Sequence, residues 1–511
     1  MIGPVRLIRK AMEAARARAP WLWLWMKLCV ALVAAEVLAC VAWDVYSSAR
    51  LRAVREETAK KNLALSMREL TARRPAPPET SNAANFYEAA FSILAVKGIS
   101  PAKPTLPLVS GISRQADKTP AGADRSVIVD VIRVEEDPHR PMPAYMLADA
   151  RVYVAERQDI VDLVGRAREL AQSQYHEDWS QDTRDRARFT RLRETARLIA
   201  LAAWVDAEEG RGAEGLSKVR TGLALGRSLE DEPSLWSALN GIAASSVAMS
   251  TALPRVLART EVTDRDLATL QRELELLAET FSVRPAFEGE LADICDTYAE
   301  VLAGHKPLRE WSAPGTVAMS AAVRRQSRSG DSGDARAWAF AALLRLTPRW
   351  LTGGYIKADE ETAIRYYLHL LDEIDKPTLE YLTRKDPALE KIGDGIYIMS
   401  RLLLPAVSRG IEQGEALRAR ARASAACIAA LRYRNETGRW PANLDELVPK
   451  YLVRTPADPF SAKPLRYAVL EDGVMIYSVG PNGVDDGGKP VLVRPTEAPA
   501  RYDDTGFRIW K

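Results

Sequence analysis

Cysteine and histidine are scarce in this 511-residue chain, with four of each. The sequence contains no Cys-x-x-Cys pair and no His-Glu-x-x-His spacing, which excludes a zinc ribbon and a zinc-protease helix. Phosphate-binding loops, dinucleotide fingerprints and Gly-x-Ser-x-Gly elbows are also missing. The densest group of potential ligands, His176-Glu177-Asp178, consists of adjacent residues that do not share a helix face, and we interpret it as solvated surface. We therefore expect a protein that is not an enzyme.

An excess of charge of one sign is missing as well. The 71 Lys and Arg residues against 68 Asp and Glu residues leave a formal net charge of only +3. Proteins that bind nucleic acid normally carry a basic domain or stripe, so we expect no nucleic-acid partner. A hydrophobic content of 47% and a charged content of 27% are typical of folded domains. The length predicts two or three of them.

The few cysteines leave two interpretations open. Cys29 and Cys40 lie inside an apolar N-terminal run, so only Cys295 and Cys427 remain for the rest of the chain. If that part is exported, these two residues could form a disulfide. The alternative, which we favour, is two buried and unpaired thiols, because free cysteine behaves as a small apolar residue.

The longest apolar run covers residues 21–46 and predicts a transmembrane helix, because it exceeds the ~20 residues that cross a bilayer. Trp21 at one end and Trp43 at the other resemble the aromatic belts of membrane helices. Lys27 lies near the first edge, where its long side chain can extend to the headgroups. No Ala-x-Ala cleavage site closes the run before Asp44, which favours a retained anchor over a cleaved signal peptide.

An acidic residue, Glu36, lies near the middle of this run. Ionisable residues within membrane spans are candidate functional sites, usually with a partner. Two interpretations remain open. Glu36 is either a single tolerated carboxyl in protonated form, or it pairs with another membrane subunit.

Helical patterns dominate after the anchor. We expect residues 47–80 to form a stalk that begins as a helix and is ended by a run of prolines, and residues 81–410 to form a helical domain with a loop-rich part at 98–143. Gly210 and Gly212 are predicted to separate two helices. Thr263 is predicted to cap a helix in which Leu267, Leu270, Leu274 and Leu277 share one face.

The C-terminal hundred or so residues have a different pattern. A predicted helix with Leu417, Ala421 and Ile428 on one face ends at Gly438. Residues 465–470 and 474–479 are predicted to form two strands. Asp472-Gly473 between them is a strong hairpin signal and is expected to join them. A last short strand is predicted at 507–510, so the segment 411–511 should contain a small antiparallel sheet.

This order of elements resembles the C-terminal domain of the major pseudopilin of type II secretion systems. The resemblance covers residues 411–511, and the chain as a whole resembles uncharacterised bacterial membrane-anchored proteins with a helical middle. The residues that match the pseudopilin pattern are Gly438, Trp440, Pro441, Leu444, Leu447, Pro456, Asp458, Pro459, Tyr477, Ser478, Gly480, Asn482, Gly483 and Asp485.

The resemblance implies a calcium site and a location. In that family the loop after the hairpin binds calcium, which implies Asn482, Asp485 and Asp486 as ligands, since calcium prefers hard oxygen atoms. A metal-free turn held by side-chain hydrogen bonds is the alternative. Asp458 is expected to form a turn rather than to bind the metal. Basic residues flank the anchor on both sides, so we infer orientation from the resemblance: a cytoplasmic basic segment at 1–20, and most of the chain outside the cytoplasm of a bacterial inner membrane.

One departure from the pseudopilin pattern affects assembly. The processed leader of pseudopilins directly precedes the helix of this domain, whereas here several hundred residues separate the anchor from that helix. We therefore expect no pilus-like filament built through a continuous N-terminal helix.

The sequence thus predicts a mainly α-helical, single-pass membrane protein with a small C-terminal α+β domain. The function we expect is that of a non-catalytic scaffold or interaction protein of the cell envelope, connected with secretion, whose partners are the lipid bilayer and other envelope proteins. Two alternatives remain: a helical module that binds a peptide or protein in a groove, and a hydrolase without a recognisable signature.

Overall fold

A computed structural model describes residues 20–75, 77–97, 106–108, 134–135, 137–175, 186–305, 349–374, 405–488 and 504–510. The chain is mainly helical and carries a small three-stranded antiparallel sheet near its C-terminus, which confirms the predicted fold class at this level. The basic segment 1–19, most of the loop-rich part at 98–143 and the His176-Glu177-Asp178 cluster lie outside the described residues.

The α-helices of the described residues are α1 (Pro20–Lys60), α2 (Met67–Ala72), α3 (Ala83–Lys97), α4 (Ala144–Ala155), α5 (Gln158–Ala167), α6 (Arg186–Glu208), α7 (Gly212–Arg227), α8 (Leu235–Val247), α9 (Leu253–Arg259), α10 (Asp264–Thr280), α11 (Arg284–Ala303), α12 (Arg349–Ile374) and α13 (Pro405–Thr437). The strands are β1 (Arg466–Leu470), β2 (Gly473–Ser478) and β3 (Thr505–Trp510).

The chain divides into two compact units. The first unit contains residues 1–65, 294–368 and 391–404, and the second contains residues 66–293, 369–390 and 405–511.

In the first unit, α1 runs without interruption from Pro20 to Lys60 and therefore extends beyond the apolar run into the charged sequence. The sequence predicted one helix that continues to the prolines after residue 74, and this was wrong. Asn62 adopts a positive φ of 57°, a backbone conformation that commonly ends helices. A new helix, α2, begins only after Ser66, whose side chain accepts a hydrogen bond from the backbone N–H of Glu69.

The second unit has an apolar cluster where α3, α5 and α6 meet. The rings of Tyr87 and Phe91 of α3 each stack on the ring of Tyr175, with centroid distances of 6.3 and 6.4 Å. Leu192 and Ile199 of α6 are buried in the same cluster. The predicted break at Gly210 is confirmed: α6 ends at residue 208 and α7 begins at residue 212.

A fully buried arginine joins three parts of the second unit. The side chain of Arg255 on α9 has no exposed surface, and its Nη2 and Nε donate to Oε1 of Glu208 at the end of α6 at 2.7 and 3.1 Å. The same guanidinium donates to the carbonyl oxygens of Val134 (3.1 Å) and Arg140 (2.6 Å). Its other face lies over the ring of Trp204, 4.3 Å from the centroid. Burial of the charge is thus compensated by a carboxylate, two carbonyls and an aromatic ring.

Two glycines allow α7 and α8 to approach closely. A Cβ atom added to Gly226 would lie 2.7 Å from the carbonyl oxygen of Gly241, and one added to Gly241 would lie 2.6 Å from the carbonyl oxygen of Gly226. Any side chain at either position would therefore force the helices apart.

The sheet packs on α13, which also packs along α10 in the antiparallel direction. Strand order is β1-β2-β3, and both pairs are antiparallel. The predicted hairpin is confirmed, but its turn lies one residue earlier than expected, because Leu470 pairs directly with Gly473. Gly473 is the first residue of β2, and a Cβ atom there would collide with the carbonyl oxygen of Ile509 on β3.

Replacing Gly226 and Gly165 by alanine should have opposite effects on stability. Gly226→Ala should lower the free energy of unfolding by about 1–3 kcal/mol, because the new methyl group overpacks the α7–α8 contact. Gly165 lies in the interior of α5, and a Cβ atom there would meet nothing within 4 Å. Gly165→Ala should therefore raise stability by about 0.5–1 kcal/mol through helix propensity alone. Urea unfolding monitored by circular dichroism measures the free energy of unfolding of both variants. If the two substitutions destabilised the protein equally, the close contact between α7 and α8 would be contradicted.

Candidate functional site

The apolar part of α1 is exposed along its length. Described residues from 23 onward form a helix that is long and apolar enough to cross a membrane, and none of its most apolar window is buried against the rest of the protein. Trp21 is 63% exposed and Trp43 is 47% exposed, at the two ends of the run. Nζ of Lys27 lies 3.8 Å from the ring centroid of Trp23, an arrangement of ammonium and aromatic ring suited to a headgroup region.

A second helical stretch passes the same length and composition test. Residues 235–259 are apolar enough to cross a membrane, but 67% of the relevant window is buried inside the protein. This burial is typical of a core helix in a water-soluble domain. The N-terminal run is therefore the better candidate for a span.

At the C-terminal end of the apolar run, α1 is fixed to α12 by close packing and polar contacts. A Cβ atom added to Gly354 would lie 2.7 Å from Cδ1 of Trp43, so only glycine permits this contact. Nζ of Lys357 donates to Oδ1 of Asp44 at 2.8 Å and to Oγ of Ser48 at 3.0 Å. Asp44 and Ser48, at the end of the run and just after it, therefore form polar contacts within the first unit.

Two ion pairs continue this contact along the same helices. Nη2 of Arg50 lies 2.7 Å from Oε1 of Glu361, and Arg55 pairs with Glu360, whose side chain is completely buried. Burial raises the pKa of the Glu360 carboxyl, while Arg55 acts in the opposite direction. The carboxylates of Glu360 and Glu361 therefore stabilise the contact between α1 and α12 and are buried in it.

The two cysteines outside the apolar run are buried free thiols. Burial raises the pKa of both Cys295 and Cys427. Sγ of Cys427 lies 3.4 Å from the carbonyl oxygen of Phe507, to which it donates. Low thiolate content and lack of access make both inert. The interpretation as unpaired buried thiols is the one that the structure supports.

The glycine-rich loop after β2 contains the three residues that the resemblance implied as calcium ligands. Oδ1 of Asp485 accepts from the hydroxyl of Tyr477 at 3.0 Å, and Oδ2 lies 3.1 Å from Nε of Arg466. The side-chain oxygen of Asn482 accepts from the backbone N–H of Val484 at 2.8 Å. Asp485 and Asn482 thus already have partners within the protein.

A buried carboxylate that the sequence did not single out joins this loop. Oδ2 of Asp504 accepts from the backbone N–H groups of Asp486 (3.0 Å) and Gly488 (2.8 Å), and its Oδ1 is buried with no hydrogen-bond partner among the described residues. Burial, with the negative charges of Asp486 and Asp485, raises the pKa of Asp504. No sequence motif marks Asp504, because it is distant in sequence from the loop that it closes.

The loop's chemistry fits a metal only in part. Across the described residues, no group of three or more His, Cys, Asp or Glu side chains is arranged to hold a metal ion. Asp504 and Asp486 nevertheless bring two carboxylates to a loop in which Gly480, Gly483 and Gly487 have positive φ angles. The calcium site therefore stays a prediction, and the hydrogen-bonded turn is the arrangement present.

Asp458, which matches the Pro-x-Asp-Pro motif of the resemblance, is buried and forms a turn, as expected. Its Oδ1 accepts from the backbone N–H of Phe460 at 2.8 Å and from the hydroxyl of Ser478 at 2.7 Å. Its Oδ2 accepts from Ser461 at 3.0 Å and from the backbone N–H of Val479 at 3.1 Å. One carboxylate therefore ties this turn to the end of β2.

A groove in the second unit lies between α5 and α7. It has a volume of about 440 Å³, and its floor includes Val161, Gly165 and Ile199. The exposed side chains of Arg166 and Glu214 line its rim, and within the described part of the chain neither forms an ion pair or hydrogen bond. An apolar floor with charged rims is a common arrangement for peptide recognition.

In comparisons with known proteins, no family model, no curated protein and no solved structure matches the chain.

Proposed function

We propose that this protein is a non-catalytic, membrane-anchored scaffold or interaction protein of the bacterial cell envelope. The observation that carries the proposal is the continuity of α1. One helix contains the apolar run and, without a break, the residues that bind α12 through Lys357–Asp44, Arg50–Glu361 and Arg55–Glu360. A helix used in this way holds a folded unit at a fixed distance from a membrane, which is what a scaffold requires.

The buried ionisable groups also support a structural role. Arg188 and Glu232 form a two-contact ion pair at 2.9 Å with both side chains only 7% exposed, and Arg255 binds Glu208 within the second unit. Enclosed pairs of this kind stabilise one packing arrangement and are not accessible to a substrate. Their chemistry suits a rigid helical body that presents surfaces to partners.

The location and orientation follow the pseudopilin resemblance. We place the anchor in the bacterial inner membrane as a single span, with the basic N-terminal segment in the cytoplasm and the bulk of the chain outside it. The resemblance of residues 411–511 also connects the protein with secretion, and the proposed partners are the bilayer and other envelope proteins.

Removal of the anchor should release the protein from the membrane. Sodium carbonate at high pH should leave the full chain in the membrane pellet, because an apolar helix of this length resists extraction. A chain that begins at residue 47 should remain soluble after the same treatment. Alkaline phosphatase fused after Lys511 should be active, since the enzyme requires export. Carbonate extraction of the full chain would contradict the anchor, and an inactive fusion would reverse the orientation.

The calcium site is the second part of the proposal, and Asp504 is the residue that tests it best. Calcium at ~100 times its dissociation constant should stabilise the full chain by ~2.7 kcal/mol, seen as a higher unfolding temperature. Asp504→Asn should abolish that shift. The variant should also be more stable than the original without calcium at neutral pH, because a raised carboxyl pKa means stability is lost as pH rises above the ordinary value of 3.8.

The control for this experiment is Asp472→Asn, which changes an exposed carboxylate on the hairpin turn. This variant should retain the full calcium shift. No shift in the original protein would leave the metal-free turn as the correct description, and a calcium shift that survives Asp504→Asn would exclude Asp504 as a ligand.

The groove between α5 and α7 favours a second candidate function, a helical module that binds a peptide. A photo-crosslinking amino acid at position 214 on the rim should form an adduct with an envelope protein, whereas one at exposed position 152 on α4 should not. Gly165→Leu should suppress the adduct, because open space at this position lets a larger side chain fill the groove. Equal adducts from positions 214 and 152 would remove the groove as a binding site.

A further inference from the structure

Glu36 lies on α1 within the apolar run, and its side chain is exposed. Among the described residues, none forms a hydrogen bond or ion pair with its carboxyl group. Carboxyl groups in the hydrocarbon of a membrane are costly unless another polar group binds them. The inference that follows rests on the proposed membrane span, because only inside a membrane does the carboxyl group of Glu36 lack water as a hydrogen-bond partner.

The helix surface beside Glu36 suits close packing with another helix. At 3.6 residues per turn, Cys29 and Cys40 lie within about 40° of Glu36 around the helix axis. Ala39 lies about 60° from Glu36 in the other direction and is exposed. Small side chains let two helix backbones approach closely, which brings polar groups on the facing surfaces within hydrogen-bonding distance.

We propose that α1 forms a parallel pair with α1 of a second copy of this chain, with the two Glu36 side chains hydrogen-bonded to each other. A protonated carboxyl group is both a donor and an acceptor, so two of them satisfy each other and leave no charge in the membrane. All copies of the chain insert in the same direction. A two-fold parallel pair therefore places Glu36 opposite Glu36 at the same depth, which a helix of a different protein would achieve only with a matching polar residue.

The native cysteines provide the test. Purified full chain is reconstituted in phosphatidylcholine vesicles at a high lipid-to-protein ratio and oxidised with copper phenanthroline. Cys29 and Cys40 should give a covalent dimer on a non-reducing gel, since they lie on the side of the helix that carries Glu36. Cys295 and Cys427 are buried and should not contribute.

A cysteine on the other side of the helix is the matched control. In the background Cys29→Ser with Cys40→Ser, no dimer should form. Adding Ala34→Cys places a thiol about 160° away from Glu36, and this variant should also remain a monomer. Equal cross-linking from position 34 and position 40 would mean random collision and would overturn the proposal.

Substitution of Glu36 separates the hydrogen bond from general packing. Glu36→Leu, of similar size and apolar, should weaken the dimer about fivefold, equivalent to about 1 kcal/mol at 25 °C. Glu36→Gln should retain the dimer, because an amide also donates and accepts. A dimer unaffected by Glu36→Leu would overturn the role of the carboxyl group.

Carbonate treatment of the same vesicles distinguishes failure of the anchor from failure of the pairing. Extraction of the chain by carbonate would contradict both the membrane span and the helix pairing that depends on it. Chain that stays in the vesicles but yields only monomer would leave the anchor intact, overturn the pairing, and assign the Glu36 side of α1 to a different partner.

Discussion

The buried guanidinium of Arg255 is the contact on which the arrangement of the second unit depends. It comes from a short helix, α9, that follows a single π-helical turn at Ala248–Ala252. Trp204, which lies beneath the guanidinium, donates from its indole Nε1 to the carbonyl oxygen of Thr251 at 3.0 Å and so binds that turn. Arg255 then holds Glu208 and two backbone carbonyls from distant parts of the chain. Loss of the charge would leave Glu208 buried, with Arg259 as its remaining cationic partner, and the break of such a pair typically costs about 3–5 kcal/mol.

The nearly equal numbers of positive and negative residues are reflected in ion pairs that join helices within each unit. In the second unit, Nε of Arg432 on α13 lies 2.7 Å from Oδ1 of Asp264, and its Nη1 donates to Gln271 at 3.0 Å, so α13 is attached to α10 through charge as well as apolar packing. In the first unit, Arg50 and Arg55 after the apolar run likewise pair with Glu361 and Glu360 of α12. The paired charges therefore hold neighbouring helices together within each unit.

Local features of the fold could be predicted from the sequence, whereas contacts between distant residues could not. The cap at Thr263, whose hydroxyl accepts from the backbone N–H of Asp266, and the hairpin near residue 472 depend on a few neighbouring residues and were predicted correctly. The exact hairpin turn was not, since Gly473 lies in β2, where its φ of 154° and the close approach of β3 both favour glycine. Asp504 was missed for the same reason, because the loop that it closes lies earlier in the sequence. The break after Lys60 depends on a single Asn in a left-handed conformation within a helix-favouring stretch.

The uninterrupted course of α1 has a mechanical consequence. A helix that meets a bilayer thinner than its apolar length responds by tilting. Because α1 is one continuous helix from the apolar run to Lys60, a tilt of the apolar part also moves the part that contacts α12. The close contact between Trp43 and Gly354 leaves little space for the two helices to shift relative to each other. If α1 spans a membrane as proposed, the thickness of the surrounding lipid therefore acts as a mechanical load on the contact between α1 and α12.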